Sequence, residues 1–385
     1  MTAAPPDLYS QADLLVASYE RAGYARVAPA ILQPAEPFLD LAGEDMRRHM
    51  YVLTDSAGDE LCLRPDLTIP VARDYLASPA AATAQPAGFC YLGPVFRDRG
   101  GGSGEFLQAG IESFGRSDTA AADAEAVSLG LEATAHYGIN DPEIRIGDVA
   151  LFSSLIAALD LAPAWKRRLA KDFNRKATLA EDLQRLALTA VNGRPEHQGV
   201  LAALADANPK AAHALVTDLL SIAGISAVGG RSIGEIADRF VEQAELGAST
   251  TLPGETRAVI ERFLGIAGTP DDAAASLRAL AEEASLSLEP ALDLFESRTG
   301  FLAASGVDVG RIRFETGFGR GVDYYTGFVF ELHDREGRAD GQLVAGGRYD
   351  ALLTRLGSPR AVPAVGLAVW IERLAALAAA REGSP

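Results

Sequence analysis

Residues 317–327 read GFGRGVDYYTG, with Arg320, Asp323, Tyr324 and Tyr325 set among Gly317, Gly319, Gly321 and Gly327. Glycines at this density are poor material for a helix or strand, because each costs backbone entropy. They point to a backbone that turns tightly or lies close to a ligand. In such a setting the planar fork of Arg320 suits a carboxylate or a phosphate. If the chain after Asp323 is extended, Tyr324 and Tyr325 face opposite sides, one toward a pocket and one toward a core. A glycine-rich loop with an exposed arginine and two inward-packed tyrosines accounts for the same residues equally well.

Upstream, 89–97 (FCYLGPVFR) and 105–115 (EFLQAGIESFG) read as two strands joined by DRGGGSG, a loop with almost no side chains to pack. Period-2 alternation puts Phe106, Gln108, Gly110, Glu112 and Phe114 on one face, with Gln108 and Glu112 about 13 Å apart along an untwisted strand. On a solvent face these two are ordinary; on the concave side of a sheet they are ligand contacts. Earlier still, 8–22 has helical spacing and stops at Gly23, and 24–32 reads as an edge strand. Segments 49–54 and 60–64 form a hairpin around SAGD. Pro65 and Asp66 open a helix over 67–76, with Asp66 or Thr68 as its cap.

From 149 to about 305 the pattern is almost wholly helical, which predicts an inserted helical subdomain between strand-rich blocks at 1–148 and 306–385. Charges there, including Lys166, Arg167 and Arg168, read as solvated helix faces. After it, 311–315, 325–333 and 342–344 are strand-like, GGRYDALLTRLG opens a helix after two glycines, and AVGLAVWIERLAALAAA reads as a buried strand feeding a final helix. The fold class expected is α+β: one mostly antiparallel sheet flanked by helices, carrying a helical insertion.

Composition narrows the function. The chain has 385 residues, enough for two or three domains, and a formal charge of −17 from 35 basic and 52 acidic residues. That balance opposes a chain whose main task is gripping nucleic acid. Cys62 and Cys90 have no metal-ligand spacing, His49, His136, His197, His213 and His333 are scattered singly, and neither a P-loop nor a strand-GxGxxG-helix occurs. No metal or cofactor is expected. With neither a signal peptide nor a long apolar run, the expected compartment is the cytoplasm.

YLGPVFR with EFLQAGIESFG, then RGVDYYTGFVFE, GGRYD and VGLAVWIERL, resemble in order the signature segments of the histidyl-tRNA synthetase family, a class II synthetase family, across nearly the whole chain. The resemblance implies an antiparallel sheet with a histidine pocket beside an ATP site. On the matching positions, Asp66 and Thr68 stand where the family meets the amino group, Asp66 being shorter than the usual glutamate. Gln108 and Glu112 fall in the histidine pocket and Tyr325 near the imidazole, with Tyr324 beside it; Arg320 stands where a carboxylate or phosphate is met. For each of these, retention for packing is the alternative, and for Tyr324 it is the stronger one.

The nucleotide half departs from the pattern. Arg97 and Arg373 persist at ATP-contacting positions, but the loop that should bring another arginine ahead of Phe106 is GGGSGE, and Trp370 replaces a glycine in the last strand. Phe96, Arg97, Asp98 and Arg99 put a cation where the family holds an acid, Pro29 is a residue out of register, and the family's anticodon-binding domain has no counterpart. A chain that keeps the amino-acid contacts and loses the others resembles the regulatory subunits of ATP phosphoribosyltransferase. That resemblance implies no catalysis of its own and a homodimeric core within a hetero-oligomer. Its partner would be the short catalytic subunit, with L-histidine as effector. Two rivals stay open: a histidine-activating or aminoacyl-transferring ligase, favoured by Arg97, Arg320 and Arg373, and a histidine-binding module with another client.

Overall fold

The computed structural model describes residues 6–83, 85–98, 100, 103–188, 209–222 and 254–382. Residues 189–208 and 223–253 of the stretch read as helical, His197 among them, and Arg99 lie outside them. The chain divides into two compact units, Met1–Ser154 with Phe263–Pro385, and Leu155–Arg262.

The first unit is built on a nine-stranded sheet. In chain order its strands are β1 (Ala25–Val27), β5 (Ala87–Phe96), β6 (Glu105–Phe114), β7 (Glu143–Asp148), β8 (Ala267–Gly268), β9 (Arg313–Glu315), β10 (Phe328–His333), β11 (Val344–Arg348) and β12 (Ala364–Trp370). They lie side by side as β1-β5-β6-β12-β11-β10-β7-β9-β8, antiparallel except where β1 joins β5 and β9 joins β7. A separate antiparallel sheet, β2-β4-β3, is made by Leu32–Pro34, Glu60–Leu63 and Val52–Thr54. The α+β reading holds, as do the 49–64 hairpin and the β5–β6 pair, whose register runs without interruption from Ala87↔Phe114 to Phe96↔Glu105.

Two expectations are corrected. The edge strand over 24–32 splits: β1 pairs in the large sheet and β2, from Leu32, in the small one. The glycines of GGRYD open no helix but lie inside β11, and the helix that follows is the single turn Leu352–Arg355. The reason is crowding, since a Cβ on Gly346 would land on the Gly366 carbonyl and beside the Phe330 ring. Only glycine lets the backbones and rings close there.

The insertion expected over 149–305 corresponds to a narrower compact unit. Helices Pro270–Glu283 and Glu289–Ala304 belong with the sheet, where Phe295 and Phe314 meet with centroids 4.8 Å apart. Within Leu155–Arg262, helices Pro163–Asp172 and Lys176–Leu188 bury Trp165, Leu169, Leu179 and Leu183. Arg168 is no solvated charge: its Nε lies 2.6 Å from Asp172 Oδ2 and 2.7 Å from Asp182 Oδ2, both side chains buried.

The large sheet is covered on one side by the helices Thr119–His136 and Glu289–Ala304, which bring Asp123 and Arg298 into the interior. Arg298 donates from Nε to Asp123 Oδ2 and from Nη1 to Asp148 Oδ2, both at 2.8 Å, and stacks over Phe328 at 4.5 Å. Arg348 takes the other Asp123 oxygen at 2.9 Å. Two cations and two anions thus make a neutral buried set, and removing one member strands charge in a medium that solvates it poorly. Asp123→Ala should lower the unfolding free energy by about 3–5 kcal/mol, read as a fall in the urea midpoint; an unchanged midpoint would mean that the pair contributes no such term.

Candidate functional site

In a sheet, register partners project to the same side. Gln108 is opposite Gly93 and Trp370, Gly110 opposite Tyr91 and Ala368, and Glu112 opposite Phe89 and Gly366. These residues therefore form one patch on the face away from the Thr119–His136 helix, with glycines placed where a neighbour's polar side chain crosses the backbone. A Cβ at Gly366 would land on Glu112 Oε2, and one at Gly110 on the Tyr91 hydroxyl.

Above the patch is a cleft between the sheet and the 317–327 segment. Asp66, Thr68, Gln108, Arg320, Tyr324 and Tyr325 line it, together with Arg97 and Trp370. Residues far apart in the sequence thus converge. Glu112 lies beneath the lining rather than in it, and Arg373 lies to the side, its Nη1 donating to the Gln342 carbonyl at 2.5 Å and its guanidinium 5.5 Å from the Trp370 ring. Arg97 donates from Nε to the Pro65 carbonyl at 2.7 Å and stacks on Phe106.

The condition under which Tyr324 and Tyr325 would face opposite sides, an extended chain after Asp323, is not met. Residues 323–324 form a turn and β10 begins only at Phe328, so strand alternation does not apply. Both rings line the cavity, their centroids 4.9 Å apart, and both lie against Tyr349. Arg320 Nη1 donates to the Tyr325 hydroxyl at 2.6 Å, and Glu331, 3.4 Å from Arg320 Nε, also holds His333 at 2.9 Å. Burial opposes the charge on Glu331, but His333 and Arg320 outweigh it and hold its pKa below the usual value.

Tyr349, Met46, Val322 and Tyr91 are site residues that sequence reasoning missed. Tyr349 was detectable as the residue after the crowded glycine strand, and Tyr91 as the register neighbour of Gly110. Met46 and Val322 carry no local signal.

Glu112 is fully enclosed. The Tyr349 hydroxyl donates to Oε2, and the Tyr91 hydroxyl is 3.2 Å from Oε1 and 3.2 Å from the Leu367 carbonyl. Burial dominates these favourable contacts and pushes the Glu112 pKa from 4.5 up to about 8, with the nearby Asp66 adding to the rise. A neutral Glu112 also resolves Tyr91: its single proton reaches Leu367 O if Glu112 donates to Tyr91 Oη. Burial likewise raises Asp66, against the pull of Arg97 and of the Ile69 and Thr68 amides.

Four sealed polar atoms around the cavity make no well-formed hydrogen bond among the described residues: the acceptors Asp66 Oδ2 and Gln108 Oε1, and the donors Trp370 Nε1 and Arg320 Nε, the last with only the Glu331 carboxylate near it at 3.4 Å. Each such atom costs about 1–3 kcal/mol. Their polarity is divided, acceptors for an ammonium and donors for a carboxylate. This set suits recognition of a small zwitterion.

Folded Glu112 keeps its proton up to about pH 8, whereas the unfolded chain releases it near 4.5. Its contribution to stability is therefore complete below pH 4.5 and is lost as pH rises through 8. Glu112→Gln mimics the acid form and should flatten that part of the profile. Thermal midpoints measured from about pH 5 to 8 that fall in parallel for both proteins would contradict the assignment.

The histidyl-tRNA synthetase family profile matches residues 9–230 and 212–374. An ATP phosphoribosyltransferase regulatory subunit from Brucella canis is 41% identical over 356 residues, covering 91% of this chain and 93% of that protein. One from Brucella abortus is 41% identical with 91% and 92% covered. Among solved structures, an ATP phosphoribosyltransferase regulatory subunit/histidyl-tRNA synthetase from Bacillus halodurans superposes with a TM-score of 0.67 at 22% identity, over 98% of this chain and 81% of that one. Histidyl-tRNA synthetase from Nostoc gives 0.61 at 18% identity, over 99% and 76%. At such identities the superpositions speak to the fold alone.

Proposed function

The chain belongs to the ATP phosphoribosyltransferase regulatory-subunit family, built on the histidyl-tRNA synthetase fold, and from that premise we propose that it binds free L-histidine in the cavity around Gln108 and Arg320. Occupancy then sets the activity of a short catalytic ATP phosphoribosyltransferase subunit at the first step of histidine biosynthesis. The subunit activates its partner without histidine and restrains it with histidine. It acts as a homodimer within a hetero-oligomer, in the cytoplasm and without nucleic acid. Supporting these last points, no helix among the described residues is long and apolar enough to cross a membrane, and the chain carries −17.

The observation that carries the reading is the divided polarity of the four sealed atoms. Asp66 Oδ2 and Gln108 Oε1 take the ammonium, Arg320 and Trp370 Nε1 take the carboxylate, and Tyr324, Tyr325 and Tyr349 supply aromatic walls for an imidazole. The neighbouring nucleotide region is closed by the buried Trp370 indole, and Arg97 and Arg373 are engaged by the Pro65 and Gln342 carbonyls. Regulation requires only that histidine bind the restrained assembly better than the active one. A difference of about 1–3 kcal/mol shifts partner activity roughly 5- to 150-fold.

In a reconstituted complex, Arg320→Ala should raise the half-inhibitory histidine concentration by about tenfold or more, one lost charge-assisted contact being of that size, and Glu112→Ala should raise it too by releasing Tyr349 and Tyr91 beneath the lining. An unchanged inhibition curve would place the regulatory site elsewhere. The chain alone should exchange no pyrophosphate into ATP with histidine present; measurable exchange would favour a ligase.

A further inference from the structure

Two segments that build the cavity, 324–326 and Tyr349, are tied together by a residue that points the other way. Arg348 ends β11 with its side chain buried on the helix-covered face, where it belongs to the neutral set with Asp123, Arg298 and Asp148. It does more than neutralise Asp123. Nη1 donates to Asp350 Oδ1 at 2.9 Å, and Nη2 donates to the Thr119 carbonyl at 3.3 Å. Its stem lies on Gly327, where a Cβ would sit 3.3 Å from Arg348 Cδ.

The hydrogen bonds around it reach residues one or two positions from the pocket walls. The Arg348 carbonyl accepts from Thr326 N at 2.9 Å, and Asp350 N donates to Thr326 Oγ1 at 3.0 Å. Asp350 Oδ1 accepts from Ala364 N at 2.7 Å, while Tyr349 N donates to the Ala364 carbonyl at 2.8 Å. Thr326 follows Tyr325, and the Tyr349 hydroxyl donates to Glu112. The guanidinium therefore grips Asp123 on the helix layer and Asp350, the residue that follows Tyr349.

We propose that Arg348 is a positioning residue for the effector pocket, its fork holding the 349–350 strap so that Tyr349 meets Glu112 and Tyr325 faces the ligand. This rests on the reading that the pocket binds free histidine. A lysine has one point charge and no fork, so it satisfies Asp123 and releases Asp350. Arg298 meets the same Asp123 but spends its other hydrogen bond on Asp148 rather than on the strap, and it serves as the structural comparator.

The test uses the full chain and L-histidine, with affinity measured by calorimetry from about pH 6 to 9, a range that brackets the titration of Glu112, and thermal midpoints measured alongside. Arg348→Lys and Asp350→Ala should each weaken binding about tenfold and move the pH midpoint of binding. Asp350→Asn, which keeps the acceptor, should recover most of the affinity. Arg298→Lys should lower the thermal midpoint while leaving affinity within about twofold and the pH midpoint in place. Asp350 is 44% exposed on its side chain and Arg348 keeps Asp123 when it is lost, so the Asp350 variants fold even if Arg348→Lys does not. A wild-type chain that binds no histidine overturns the pocket reading and this one with it. A wild type that binds, beside an Asp350→Ala chain with the same affinity and pH profile, overturns the positioning role alone.

Discussion

A carboxyl group enclosed in a β-sheet must be surrounded by donors or give up its charge, and Glu112 does both. Tyr349 and Tyr91 reach its two oxygens, yet burial still prevails and holds the proton on it at neutral pH. Much of the local sequence follows from that constraint. Gly366 leaves room for the carboxyl, Gly110 leaves room for Tyr91, and the crowded glycines of β11 deliver Tyr349 at the strand's end. Replacing any of these glycines would push a side chain into a space already taken, so β6, β11 and β12 are chosen together rather than strand by strand.

The two faces of the sheet divide the work. On one, neutral pairing of Arg298 and Arg348 with Asp123 and Asp148 joins two helices to β7 and β11. On the other, polar atoms stay unpaired around a cavity. Satisfied charge fixes geometry, and unsatisfied dipoles store recognition. A regulatory protein gains from this separation because the ligand face can remain short of partners without loosening the body that holds it.

The architecture was legible where periodicity and crowding were local. The alternation that put Gln108 and Glu112 on one face needed only the strand period, and the β5–β6 pair needed only the glycine loop between two apolar runs. The resemblance carried by RGVDYYTG and GGRYD marked the cavity's position. What the residues hid was long-range. Whether Tyr324 and Tyr325 share a face stayed conditional because nothing in DYYTG distinguishes a turn from a strand. GGRYD resembled a helix start because the atoms that crowd its glycines come from Phe330 and Gly366, one on each neighbouring strand. Arg168 looked solvated until Asp182, fourteen positions on, closed over it.

Trp370 fills space beside the pocket with a buried indole, and the only other tryptophan of the chain is Trp165, in the second unit. The substitution that reads as a plug is therefore also an optical probe. Its emission senses the polarity at the cavity wall and the Arg373 guanidinium 5.5 Å from its ring, so a Trp165→Phe chain would carry a single fluorophore placed by nature at the cavity wall.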